Sequence, residues 1–422
     1  MTRTLLIIMA TAIVILIFLP EVIYANEAFC LYGYLLNYFQ SSFIYNNARF
    51  KESTYGDTLL LRLKGDWSPE DRLSFHAEAA YYGRLGNQNP YAFYDNLGLS
   101  TYTQDQFPYN DFVNEIVIDH AWGLANLGSM DLQFGKIPIA WGSGYVFNPT
   151  AKTAPVQFLD QVTEETPGTF GIVPSFYIGN KLTVTGYLAF QDRSHKTYAL
   201  KEDGELRNLP FGIKVQLITG PFDISAGIIK EVLYTQDGFQ RSYYLSVDLD
   251  GGIQDLGLYA ETGVRLPVEH SRLSFKGYNL EESLEIAAGC YYTLVALDTD
   301  LRLEYYHQGS GESQKSKYNV MKVLYQEQLM LAEDYLFIFF ERSFTDYIRA
   351  SAGSLCNLND GSFVVYPELA WDVYSNFQFF IGSFLFFGGK GSELNGEHYI
   401  EDIGNVDLTE TFSLYTRLKI SF

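Results

Sequence analysis

From about Phe29 onward, apolar residues recur at every second position of the chain. Leu59, Leu61 and Leu63 alternate with Arg62 and Lys64, and Leu73, Phe75, Ala77, Ala79 and Tyr81 alternate with Ser74, His76, Glu78 and Tyr82. The same unit returns at Phe211, Ile213, Val215 and Leu217 against Lys214 and Gln216, and at Leu256, Leu258 and Ala260 against Tyr259 and Glu261. Period two marks strands whose two faces meet different environments. It predicts strands near 29–39, 55–66, 72–83, 112–124, 128–137, 168–178, 181–191, 209–219, 222–232, 241–250, 254–265, 281–294, 299–308, 333–342, 345–356, 362–373, 376–387 and 411–422, eighteen in all. Asp66-Trp67-Ser68-Pro69-Glu70-Asp71 reads as a tight polar turn.

The connections keep a two-beat rhythm. Short turns such as Ile178-Gly179-Asn180-Lys181, Thr219-Gly220-Pro221 and Tyr374-Ser375-Asn376 follow even-numbered strands, and most connections after odd-numbered strands are long. Short turns at one end and long loops at the other are the habit of membrane-spanning antiparallel β-barrels, whose strands need about 10 residues. The fold class predicted is therefore all-β, a transmembrane antiparallel barrel of about eighteen strands (16–18). A soluble sandwich also alternates, but its polar face carries many Lys and Glu; here that face is heavy in Gly, Ser, Tyr and single charges.

The alternation breaks once in earnest. Phe134-Gly135-Lys136-Ile137-Pro138-Ile139-Ala140-Trp141-Gly142-Ser143-Gly144-Tyr145-Val146-Phe147-Asn148-Pro149 cannot continue a ladder, because proline lacks the donor and glycine weakens pairing. A long loop, about 138–166, leaves the sheet here, with Trp141, Tyr145, Phe147 and Asn148 as its distinctive residues. Exposed to water, those aromatic groups would forgo burial worth roughly 1.5–3 kcal/mol for a Phe-sized side chain. They should dock, either inside the barrel as a constriction or over the outer rim. On the inner wall, Trp141 and Tyr145 read equally as a hydrophobic plug and as a sugar-stacking platform.

Composition agrees with the barrel. Aromatic residues make up 16% of the 422 residues and charged residues only 19%, against about 25% charged in an ordinary soluble domain. The formal net charge of −21 argues against nucleic acid as a partner, since phosphate binding needs clustered Lys and Arg. Cys30, Cys290 and Cys356 are too scattered for a disulfide framework or haem attachment. Residues 1–25 carry the parts of a secretory signal: Arg3, an apolar run from Leu5 to Leu19, and a cleavage point after Ala25. That run is shorter than the ~20 residues a spanning helix needs. The barrel is then 26–422.

The last strand alternates Phe412, Leu414, Leu418, Ile420 and Phe422 with Ser413, Tyr415, Arg417, Lys419 and Ser421. Ending on an aromatic residue, it resembles the insertion signal of Gram-negative outer-membrane barrels, which implies engagement of the barrel-assembly machinery. Phe134-Gly135-Lys136, Trp141-Gly142-Ser143-Gly144 and Phe147-Asn148-Pro149 resemble a pattern of porin-like and alginate-export-like barrel proteins. The signal segment, the alternation, the loop rhythm and the terminal Phe422 together predict an outer-membrane channel for passive passage of small hydrophilic solutes, and the rhythm puts both termini in the periplasm. In general porins the loop after the fifth strand folds into the lumen, and this loop holds that place. An arginine ladder facing the loop is not evident, so a porin's selectivity is not carried over. A competing class is a barrel sheath or export channel for a periplasmic partner, a multihaem cytochrome or a polysaccharide. A minor alternative is an outer-membrane hydrolase.

In a barrel the lumen face carries the function. Parity assigns to it Arg62, Lys64, His76, Glu78, Glu115, Asp119, Gln133, Lys214, Glu261, Arg265, Glu285, Arg302, Glu304, Arg349, Glu368, Asp372, Arg417 and Lys419, with nearly balanced signs. Arg302 and Glu304 read as a wall salt bridge. Surplus acid lies in loops, including Asp160, Glu164, Glu165, Glu393, Glu397, Glu401, Asp402 and Asp407, and reads first as loop solubility and second as a rim for cations bridging lipopolysaccharide. The six histidines sit on separate elements, and no motif of metal hydrolysis or acyl transfer stands out, so neither enzyme nor cofactor is expected. Tyr81, Trp122, Trp371 and Phe384-Leu385-Phe386-Phe387 read as interfacial girdle residues facing outer-membrane lipid.

Overall fold

A computed structural model describes residues 28–46, 49–86, 113–153, 165–191, 208–235, 238–269, 272–273, 275–324, 328–395, 397–400, 404–407 and 412–422. Eighteen antiparallel strands form one sheet. In chain order they are β1 Phe29–Asn46, β2 Arg49–Glu70, β3 Leu73–Gly86, β4 Val113–Asn126, β5 Met130–Ile137, β6 Thr169–Ile178, β7 Leu182–Ala189, β8 Phe211–Thr219, β9 Phe222–Thr235, β10 Gly238–Ile253, β11 Leu256–Leu266, β12 Leu284–Leu294, β13 Thr299–Gln308, β14 Asp334–Thr345, β15 Ile348–Asn357, β16 Phe363–Tyr374, β17 Phe377–Phe387 and β18 Phe412–Ser421. Each pairs with its neighbours in sequence, and β18 pairs with β1 from Tyr34↔Ser421 to Phe43↔Phe412. That pairing closes the ring, so no strand edge is left with unpaired amide groups. Among the described residues, no helix is long and apolar enough to cross a membrane. The expected signal segment, 1–25, lies outside the described residues.

The pleat sorts the side chains as the alternation requires. On β8, Ile213, Val215 and Leu217 point outward and are exposed, and on β13 Leu301, Leu303 and Tyr305 do the same. Their inward neighbours Glu304 and Tyr306 are buried. An apolar outer face on a closed ring is stable only against hydrocarbon. Narrow turns join the strands at one rim, at 127–129, 179–181, 254–255 and 346–347, and the extended connections gather at the other.

The folded chain departs from the expected pattern at three places. The turn placed at Asp66–Asp71 is shorter, because β2 runs to Glu70 and only Asp71 and Arg72 turn; Trp67 extends the strand by stacking on Phe75 at 5.3 Å. The girdle reading fits Trp371 and Phe387, which are exposed on the outer face. It fails for Trp122 and Phe384. Trp122 stands opposite His76 and stacks on it inside the barrel, and Phe384 is buried against Tyr415 and Tyr366 of the inner wall.

At the loop rim, Glu393 is not the solvated acid the composition suggested. Its carboxylate is buried and accepts hydrogen bonds from the Tyr335 hydroxyl at 2.6 Å, Asn357 Nδ2 at 2.8 Å and the Leu331 amide at 2.8 Å. Burial outweighs these bonds and pushes the carboxyl up to about 7 from its ordinary 4.5. A carboxyl raised on folding binds its proton more tightly in the folded state, so between about 4.5 and 7 stability falls as pH rises. The loops joined at Glu393 are expected to be tightest near pH 5 and looser at pH 8. Hydrogen exchange at the Leu331 amide, corrected for intrinsic rate, measures this; equal protection at both pH values would refute it.

Candidate functional site

The β5–β6 ladder ends at the pair Ile137↔Thr169, and Pro138 then turns the chain off the wall. Trp141 packs edge-on against Tyr187 of β7 at 4.7 Å, over Gly212 of β8, with Lys214 Nζ 5.5 Å from its ring. Ser143 reaches β11, donating its amide to Glu261 Oε2 at 3.0 Å, and Thr150 Oγ1 donates to the same oxygen at 3.1 Å. Tyr145, Val146 and Phe147 reach β13, where their three amides converge on the Glu304 carboxylate at 2.6, 3.0 and 2.7 Å. Phe147 lies flat on Tyr306 with ring centroids 4.3 Å apart. Lys152 returns to β12, bonding Glu285 Oε2 at 2.8 Å, and Thr153 Oγ1 closes the lobe by donating to the Ile139 carbonyl at 2.6 Å.

The segment thus begins at β5 and touches inward-facing residues as far as β14, close to half the circumference away. It lies inside the barrel and follows the inner wall, touching β7 and β8 at Trp141, β10 and β11 at Ser143, and β13 and β14 at Tyr145 and Phe147. Gly142 has φ +104°, a conformation natural to glycine. A Cβ there would strike the Asn148 side chain and the Glu261 carboxylate, and one at Gly144 would strike the Phe147 carbonyl. Tight backbone is what lets consecutive amides aim at one carboxylate, the inverse of an anion-binding nest on a ligand.

Of the loop residues singled out in the sequence, Trp141 and Phe147 are buried plugs on the inner wall, while Tyr145 is 45% exposed and holds the Arg302 guanidinium 3.7 Å over its ring. Asn148 holds its side-chain oxygen 3.3 Å from Thr150 Oγ1 and shapes the turn. The reading of Arg302 and Glu304 as a wall salt bridge is overturned: Glu304 takes the loop amides and the Tyr259 hydroxyl at 2.7 Å, and Arg302 goes to Tyr145. Residues 154–164, the middle of the 138–166 loop, lie outside the described residues.

The other wall residues fall into separate groups. Glu368 pairs with Arg417 at 3.4 Å, Arg349 lies between Glu341 at 3.8 Å and Asp372 at 3.9 Å, and Lys419 covers the Tyr34 ring. Glu115 is a half-exposed partner of Arg84 near the loop rim. Arg62, Lys64, His76, Glu78 and Asp119 meet in one cluster, joined by His120, which parity had not assigned to the lumen. The cause is a β-bulge. Glu78 faces His120 while Ala79 faces Ile118, so Asp119 is an extra residue and both it and His120 point inward. The signal was present: outward apolar positions run 116 and 118, then 121 and 123, a switch of parity. Against the expectation that no metal-site motif is present, His76-Ala77-Glu78 is a His-x-Glu arrangement, and on a strand that two-residue spacing puts both side chains on one face.

No protein-family model matches the sequence, and no curated protein does. Solved structures do. OccAB3 of Acinetobacter baumannii superposes with a TM-score of 0.54 at 10% identity, over 94% of this chain and 100% of its own. OccAB4 of the same organism gives 0.54 at 10%, over 94% and 99%. A BenF-like porin of Pseudomonas fluorescens Pf-5 gives 0.53 at 8%, over 94% and 99%. The fold is a porin barrel. At such identities the likeness carries the architecture and not the solute.

Proposed function

We propose that the chain is a Gram-negative outer-membrane channel for passive passage of small hydrophilic solutes, with the 138–166 segment as its constriction. The observation that carries this reading is the lobe inside the barrel, which runs along the inner wall from Trp141 on β7 and β8 to Phe147 on β13 and β14. A ring of eighteen strands encloses a space wider than one small solute, so selection needs something placed inside it. The short turns would face the periplasm together with both chain ends, and β18 would present the insertion signal to the assembly machinery. No reaction is assigned to the site.

Purified protein in planar bilayers should give stepwise conductance, and liposomes carrying it should swell in small sugars but not in large ones. Bilayers that stay silent with correctly folded protein would overturn the reading. The sheath alternative is disfavoured because the chain's own lobe occupies the interior beside β7 to β14; co-purification of haem or polysaccharide would restore it.

A further inference from the structure

We propose that His76, His120 and Glu78 form a binding site for one divalent transition metal ion of the zinc class on the inner wall near the turn rim. The donor atoms lie within 4.8 Å of one another. His76 Nε2 is 3.0 Å and His120 Nδ1 3.1 Å from the same oxygen, Glu78 Oε1. Ligands at about 2.0–2.2 Å around a tetrahedral ion stand roughly 3.3 Å apart, so small side-chain shifts admit the ion.

The second nitrogen of each ring fixes its tautomer. His76 Nδ1 donates to Asp66 Oδ1 at 2.6 Å, and His120 Nε2 donates to the Thr166 carbonyl at 2.8 Å. A carboxylate and a carbonyl only accept. In the neutral imidazoles the protons are therefore on the outer nitrogens, and both lone pairs face the Glu78 oxygen. The two lone pairs and the carboxylate oxygen repel one another; Lys64 offsets this at the Glu78 oxygen alone, whereas a metal ion would engage all three. Carboxylate and carbonyl partners behind each ring are also the usual outer shell of histidine metal ligands. Arg62 Nη1, 2.8 Å from both Glu78 Oε2 and Asp119 Oδ2, turns the other Glu78 oxygen toward the rings.

Charge balance favours a dication. Asp66, Glu78, Asp119 and Glu165 contribute four negative charges, and Arg62 and Lys64 two positive, which leaves two negative charges with both imidazoles neutral. Two imidazoles and one carboxylate suit zinc, cobalt or nickel rather than calcium or magnesium. A fourth position stays open to water. Lys64 is the competitor: its Nζ is 3.2 Å from Glu78 Oε1, and it has Glu165 as an alternative partner when the ion arrives. Half-exposed Asp66 marks the way in. The inference does not depend on the channel reading.

The test uses the untagged full chain, treated with chelator and held in detergent, titrated with Co2+ by visible absorption and with Zn2+ by displacement. One ion per chain is expected. His76→Gln and His120→Gln should each weaken binding at least tenfold, and Asp66→Asn about tenfold; His307→Gln, on the far wall, should change nothing. Lys64→Gln should tighten binding, a result that a purely structural cluster does not give, and it remains readable if the histidine variants fail to fold. Folded wild-type protein without stoichiometric binding, binding indifferent to His120→Gln, or Lys64→Gln equal to or weaker than wild type would each overturn the proposal. Protonated imidazoles in place of the ion predict the first of these.

Discussion

Deleting Ser143 to Lys152 is expected to raise single-channel conductance at least twofold without preventing insertion. Eighteen strands, about 4.8 Å apart and tilted roughly 40°, close on a backbone ring ~35 Å across. The deleted residues are those that reach Glu261, Glu304 and Tyr306 on the far side. They contribute no ladder hydrogen bond between barrel strands, since β5 pairs directly with β6 from Met130 to Ile137. Glu261 and Glu304, relieved of the loop, would meet water instead of a dry contact, which limits the cost to folding. Heat-modifiable migration in detergent checks assembly, and bilayer recording reads the pore. A correctly inserted deletion variant with unchanged conductance would show that the lobe does not define the width.

Replacing one side chain should loosen the same lobe. In Glu304→Ala, the amides of Tyr145, Val146 and Phe147 lose their common acceptor, and the Tyr259 hydroxyl loses its partner. Hydrogen bonds to a charged acceptor contribute about 1.5–3 kcal/mol each. They are not additive here, because the lobe can leave the wall instead of staying docked with unsatisfied donors. Even one such bond changes the docked-to-free ratio more than tenfold. The expected signature is a noisy open channel with frequent excursions to higher conductance, and proteolytic cutting near Gly144. Glu304→Gln keeps an acceptor and should lie between. A quiet Glu304→Ala channel of wild-type conductance would mean that Phe147 on Tyr306 and Trp141 on Tyr187 hold the lobe alone.

The wall was legible because period two is a local property. Each of the eighteen expected segments has its strand, and misplacements are confined to ends such as Trp67–Glu70. The loop's departure was legible too, since Pro138 and the glycines cannot extend a ladder. What could not be read was which wall residues the loop meets. Parity says that Glu261 and Glu304 face inward, but it says the same of Glu368; reach and height decide, and they are properties of the folded path. Arg302 and Glu304 looked like a pair because residues two apart share a face. The amides that compete for Glu304 come from more than a hundred and fifty positions away. His120 was missed for a different reason. A bulge shifts parity for everything after it, and alternation read without that shift points the ring toward lipid.

The lobe also has a mechanical consequence. A thin ring of strands resists stretching along its hydrogen bonds but flattens readily into an oval. A strap fixed at Tyr187 on β7, at Glu261 on β11, and at Glu304 and Tyr306 on β13 ties about a third of that ring from inside. Flattening of the barrel is then expected to bend the unstrapped remainder of the wall before the arc from β7 to β13.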